Sequence, residues 1–210
     1  MDEEKIQEKL KELHNKAQVP EEELDDETKA RKWLEEAKVM WGQGRSLDAL
    51  ERAEEALKIF LDKKLYREAV NAAEVVGDIK FFRERFEEAL KPYKMALDIC
   101  EEFEDEISAA LIAEKIIFVY QKMGEAQKAL PYLYRCLEIA EKYSDAHRAA
   151  RMMAGIGDVK KLGGEIDAAR EAYEIALKIY KGLGARDQAK LVEEALASLS
   201  DKLGSGETTS

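Results

Sequence analysis

A few residues invite a chemical reading, and each can be tested by its spacing. Gly155-Ile156-Gly157, followed by Gly163-Gly164, suggests a phosphate-binding loop. The dinucleotide pattern G-x-G-x-x-G needs glycine at position 160, where Lys160 stands, and no strand pattern precedes it. His14 and His147 are the only histidines; neither has a second His four residues on or a Cys close by, so no zinc ligand set is expected. Acidic pairs such as Glu54-Glu55 and Glu101-Glu102 could serve acid–base chemistry, but they fall on solvated helix faces. No nucleophile, base and orienting group can be assembled. The sequence predicts no enzyme, no metal and no cofactor.

Two cysteines, Cys100 and Cys136, are too few for a disulfide framework, which points to a reducing, cytoplasmic setting. Cys136 falls at a small buried position of a helix and reads as an inert core thiol; the sequence leaves the reactivity of Cys100 open. The N-terminus has no secretory signature, and nowhere do 18 apolar residues run together. With 34 basic against 45 acidic residues the net charge is −11, and no positive stripe is present to read a nucleic-acid backbone. Nucleic acid and membrane are therefore not expected partners.

The elements that carry these residues repeat. Ala49-Leu50, Ala53, Ala56-Leu57 and Ile59 recur as Ala89-Leu90, Tyr93, Ala96-Leu97 and Ile99, as Ala129-Leu130, Leu133, Cys136-Leu137 and Ile139, and as Ala169, Tyr173, Ala176-Leu177 and Ile179. The period is 89 − 49 = 40 residues. Within each copy the apolar positions step by three and four, one stripe of an α-helix, here called helix B. An upstream set has the same period: Ala69, Ala109, Ala149 and Ala189, then Val76, Ile116, Ile156 and Leu196, then Ile79, Val119, Val159 and Leu199. That is helix A. Gly44, Gly124 and Gly164 fall between A and B, where a positive φ is often needed; the second copy carries Glu84 there, so a different turn is expected.

The aligned residues resemble the tetratricopeptide repeat (TPR): Ile156-Gly157, Gly164, Ala169, Tyr173 and Ala176 in the fourth copy, and Val76-Gly77, Ala89, Tyr93 and Ala96 in the second. The third departs with Ile117 and Leu133, and the first with Ala37 and Ala53. The usual repeat is about 34 residues, and six more lengthen each helix by roughly 4.5 Å. Long repeats of this sort resemble those of kinesin light chains and Pins-type adaptors. The resemblance implies an all-α, right-handed TPR-like α-solenoid of four hairpins: an N-terminal helix over 1–19, repeats over 28–62, 65–103, 106–142 and 145–182, a capping helix over 185–202 and a disordered tail over 203–210. Pro92 and Pro131 are expected inside helices B2 and B3, with a kink at each.

It further implies that A helices line a concave groove for a peptide or helix of another protein. Carried over to this sequence, the groove positions are Arg31, Leu34, Lys38 and Trp41; Asn71, Glu74, Asp78 and Phe81; Leu111, Glu114, Phe118 and Gln121; and Arg151, Ala154, Asp158 and Lys161. Trp41, Phe81 and Phe118 are the candidate anchors, unless the N-terminal helix or extra packing covers them. The charges are mixed in sign, which suits a ligand carrying both. The carboxylate clamp of chaperone-type TPRs is missing, with Leu34, Lys38, Val75, Leu111 and Lys115 at its positions. The expected function is a protein–protein interaction adaptor or scaffold. Two alternatives are self-assembly through terminal helices, giving a homo-oligomer, and a regulatory sensor of a small peptide.

Overall fold

One turn, repeated every 20 residues, organises the chain. In the computed structural model, which describes residues 24–204, helices begin at Asp26, Ser46, Tyr66, Phe86, Glu106, Ala126, Ala146, Ile166 and Arg186. They are α1 Asp26–Gly42, α2 Ser46–Asp62, α3 Tyr66–Phe82, α4 Phe86–Glu102, α5 Glu106–Lys122, a short 3-10 turn Ala126–Ala129 leading into α6 Leu130–Lys142, α7 Ala146–Leu162, α8 Ile166–Gly182 and α9 Arg186–Gly204. The odd-numbered helices up to α7 are the A helices; α2, α4, α6 and α8 are the B helices. The segment 1–19 and residues 205–210 of the expected tail lie outside the described residues, while residues 203 and 204 close α9.

Three residues separate successive helices, and the middle one always has positive φ: Gly44, Lys64, Glu84, Glu104, Gly124, Ser144, Gly164 and Gly184. The backbone bonds show why. The Gly44 N–H donates to Trp41 O at 2.9 Å and the Arg45 N–H to Met40 O at 2.9 Å, the Schellman pair that satisfies the last carbonyls of a helix. Arg45 O then accepts from Ala49 N at 3.0 Å and opens the next helix. The same pair closes every helix from α1 to α8, down to Gly184 N–Lys181 O at 3.1 Å and Ala185 N–Tyr180 O at 3.0 Å. Glu84 therefore makes the same turn as the glycines, with φ 58°, contrary to the expectation of a different one. Four of the eight turns place a side chain in the left-handed region, at a cost of roughly 1 kcal/mol each.

The chain divides into two compact units, residues 1–79 and 80–210. In the first, the Asp25 carboxylate accepts from Thr28 N at 2.9 Å and caps α1. Ala30, Leu34 and Ala37 of α1 are buried, as are Ala49, Ala53, Ala56 and Phe60 of α2. Lys63 and Asp26 pair at 2.9 Å, and both are exposed. In the second, Asp105 and Asp145 cap α5 and α7 by accepting from Ser108 N and Arg148 N.

The interior of the second unit follows the sequence period. Tyr93, Leu133 and Tyr173 occupy one buried position of successive B helices, and Ala96, Cys136 and Ala176 another. Ile116, Val119 and Val159 fill the matching A-helix positions. Ala189, Val192 and Leu199 of α9 join the last cluster, with Tyr173 and Tyr180. Lys115 and Lys94 lie over the rings of Tyr93 and Tyr120. Cys136 is fully buried; its thiol faces Ala110 O at 3.5 Å, and burial pushes its pKa up to about 12. Cys100 is buried as well.

Pro92 is buried inside α4, which runs through it. Pro131 is placed differently from expectation. It stands at the first turn of α6, where a missing N–H costs nothing, and the residues before it form the 3-10 turn, with Lys128 N donating to Glu125 O at 2.8 Å. The proline ring would crowd the carbonyl of residue 127 in a continuous α-helix, so the interruption precedes the proline.

Glycine matters at two kinds of place. At Gly157 an added Cβ would lie 2.6 Å from the Tyr173 ring. That ring is buried, and its hydroxyl donates to Asp158 Oδ1 at 2.6 Å; burial first, and the carboxylate second, raise the phenol pKa. Gly157→Ala should therefore lower stability by about 1–3 kcal/mol despite the better helix propensity of alanine, as read from urea unfolding followed by circular dichroism. At Gly164 nothing lies within 4 Å, and only φ, at +78°, opposes a side chain. Gly164→Ala should cost about 1 kcal/mol, and Glu84→Gly should raise stability by up to about 1 kcal/mol in the same assay.

Candidate protein-binding face

The A helices bury one side against their neighbours and leave another open. On α5 that open side holds Ile107, Leu111, Glu114, Phe118 and Gln121, which at about 100° per residue fall within roughly 80° of arc. Ile107 is 56% exposed, Leu111 49% and Phe118 54%, while Ile112 and Ile116 on the other side are buried. Three large apolar side chains half in water on one helix stripe form a surface that burial would stabilise.

An ion-pair centre lies beside the stripe. Glu114 accepts from Arg148 Nε at 2.8 Å and from Arg151 Nη2 at 2.7 Å. Glu114 and Arg148 are only 17% exposed, so these charge-assisted bonds tie α5 to α7 more firmly than a surface pair would. Farther along, Lys161 donates to Ser198 Oγ at 2.6 Å and links α7 to α9. Leu191 of α9, 65% exposed, repeats the Leu111 position two periods later.

The remaining groove candidates fall into two groups. In the second unit, Arg151, Asp158 and Gln121 are exposed and Lys161 and Ala154 half-buried, but Asp158 spends one oxygen on Tyr173 and Lys161 is held by Ser198. Phe81 is half-buried, edge-on to Phe82 and Phe86 at centroid distances of 5.8 and 5.5 Å, so part of its ring is already used. In the first unit, Arg31 pairs with Glu27 at 2.7 Å and Glu68 at 2.5 Å, and Lys38 pairs with Glu35 at 2.7 Å. Asn71 is exposed; Trp41, Glu74 and Asp78 are half-buried. Leu34, expected in the groove, is instead 5% exposed and belongs to the core with Ala30 and Ala37, because it lies on the packed side of α1.

Ile107, Arg148 and Leu191 are additions that the carried-over positions did not include. Ile107 is one turn before Leu111 on the same face, a signal that helical periodicity could have supplied. Leu191 is in phase with Leu111 and could have been found by extending the 40-residue register into α9. Arg148 carries no such signal, since its role depends on the spacing between α5 and α7.

Among the described residues no group of three or more His, Cys, Asp and Glu side chains could hold a metal ion. No described helix is long and apolar enough to cross a membrane. His147 instead lies against the Tyr180 ring at 6.3 Å between centroids.

Residues 108–182, from α5 through α8, match the family profile of the tetratricopeptide repeat. No curated protein is significantly similar to the chain in sequence. Among solved structures, the chain is similar to RapI in its apo form, with a TM-score of 0.67 and 20% identity over 84% of this chain and 63% of that one. It is similar to a signal-transduction ATPase with numerous domains and a tetratricopeptide-repeat sensor from Pyrococcus horikoshii, with a TM-score of 0.69 and 14% identity over 89% and 31% of the two chains. A Rap protein complexed with competence and sporulation factor matches with a TM-score of 0.54 and 16% identity over 87% and 66%. The chain thus spans under two thirds of RapI and under one third of the ATPase. At these identities the likeness is one of fold. The described residues form an all-α array of helical hairpins similar in fold to these structures, and the tetratricopeptide repeat itself is identified over residues 108–182.

Proposed function

We propose that this protein is an interaction adaptor that binds a peptide segment or helix of a partner protein on the open face of its A helices. The observation that carries the reading is the Ile107–Leu111–Phe118 stripe, apolar and half exposed, flanked by the Glu114–Arg151 pair. An amphipathic helix laid along α5 would bury the three apolar side chains, and its own charges would meet Glu114, Arg151 and Gln121. Aromatic anchors give area at small entropic cost, which makes Phe118 the strongest single contact. Arg31, Lys38, Trp41, Asn71, Glu74, Asp78, Phe81, Asp158 and Lys161 are proposed as secondary contacts.

The named ligand of the Rap protein described above is competence and sporulation factor. In a regulatory-sensor version of the same reading the ligand is instead a small free peptide. The two differ in ligand length and not in the surface used. No catalytic role is proposed, and the setting we infer is cytoplasmic. Self-assembly as a homo-oligomer has no observation of its own in favour of it.

The test begins with a ligand selected from a displayed peptide library against the purified chain and measured by isothermal titration. Phe118→Ala and Leu111→Ala should each weaken binding by about tenfold while leaving the thermal unfolding curve within a degree or two, because neither side chain is core. Ala176→Glu, at a fully buried position, should unfold the repeats instead. Unchanged affinity in both Phe118→Ala and Leu111→Ala would remove the face from consideration.

A further inference from the structure

The 40-residue register allows one junction between B helices to be compared with the next. Where α4 meets α6, Arg135 fills the space. Its Nε and Nη2 donate to the two oxygens of Glu101 at 2.8 Å each, and its Nη1 donates to Glu138 at 2.9 Å. Glu106 closes the cluster, accepting from Arg135, Lys142 and the Tyr143 hydroxyl. The guanidinium is thus bound bidentately by Glu101.

Forty residues on, where α6 meets α8, the equivalent positions are Ile175 for Arg135, Glu141 for Glu101 and Ala146 for Glu106. The acceptor is kept and its donor is gone. The space that Arg135 and Glu106 fill at the first junction is here a pocket of about 490 Å³, walled by Leu137, Ala140, Ala146, Ile175 and Ile179, with Glu141 among its lining residues. Among the described residues the Glu141 carboxylate, exposed at the surface, has no hydrogen-bond or ion-pair partner. Ile175 is 41% exposed.

We propose that this pocket receives an arginine side chain of a partner protein, in the place that the chain's own Arg135 takes one junction earlier. The methylene stem covers Ile175, Ile179 and Leu137, and the guanidinium pairs with both oxygens of Glu141, as Arg135 does with Glu101. An aliphatic wall ending in a single carboxylate matches a side chain that is apolar along its length and cationic at its tip. The site lies between α6 and α8 with the start of α7 beneath it, apart from the α5 stripe, and does not depend on it.

The experiment is methyl NMR of the full chain, labelled at isoleucine and titrated with n-hexylguanidinium, n-hexylammonium or n-hexanol. Hexylguanidinium should shift the Ile175 and Ile179 methyls saturably and bind more tightly than the other two. Glu141→Gln should weaken it by about fivefold, the scale of an exposed ion pair. Ile175→Arg should abolish the Ile179 shift, because the introduced guanidinium would occupy the site in cis; circular dichroism confirms the fold of both variants. Hexanol binding as well as hexylguanidinium, with Glu141→Gln silent, would overturn the proposal in favour of an apolar ligand. Equal binding of hexylammonium would overturn the arginine assignment, and the absence of any saturable shift would overturn the site.

Discussion

A single backbone device sets everything else in this protein. Each helix ends on a left-handed residue, the N–H of the next residue returns to the helix it leaves, and in seven of the eight turns that residue's carbonyl starts the following helix α-helically. With 17 helical residues and three turn residues, the phase of every helix is locked to the one before it. Had any turn gained or lost a residue, the helix after it would rotate by about 100° and carry its apolar side into water. The fixed phase is what lets one set of positions, Ile79, Val119, Val159 and Leu199 among them, be core in successive copies, while the opposite side of α5 stays open.

The energetic consequences are local and cumulative. The second, third and fourth repeats bury small residues where helices approach closely and one large ring or Leu between them, as with Ala169, Tyr173 and Ala176. Gly157 belongs to the same contact, since the Tyr173 ring occupies the volume that its Cβ would need. Ion pairs add selectivity at junctions. Arg135 with Glu101 and Glu106, and Glu114 with Arg148, join neighbouring helices at half-buried sites, whereas Arg31–Glu27 and Lys38–Glu35 are surface pairs of small worth. Stability of this kind is a sum over neighbours, which suits repeats that must keep a surface free.

The sequence made the repeat legible because its core positions are chemically conspicuous: alanines, leucines and isoleucines recur at one spacing. The turns were only half legible. Gly44, Gly124 and Gly164 announce positive φ, but Lys64, Glu84, Glu104 and Ser144 adopt it without any compositional sign, held there by the two returning N–H bonds. Leu34 is core although Glu114 and Ala154, in phase with it on α5 and α7, are half-buried; neighbour packing is invisible in a single helix's periodicity. Pro131 was misplaced because the start of α6 slid past it into a 3-10 turn. Of the open face, Leu111, Glu114 and Phe118 followed from register alone; the Arg148 contribution needed the inter-helix distance.

Register sorts side chains into a dry interior and an unoccupied face on α5. Methyl NMR in the presence of a soluble paramagnetic probe measures this sorting residue by residue. The Ile107 and Leu111 methyls should broaden strongly and those of Ile112 and Ile116, one helix face away, only a little. Equal protection of all four would mean that the α5 stripe is already covered in the free protein and offers no open binding face.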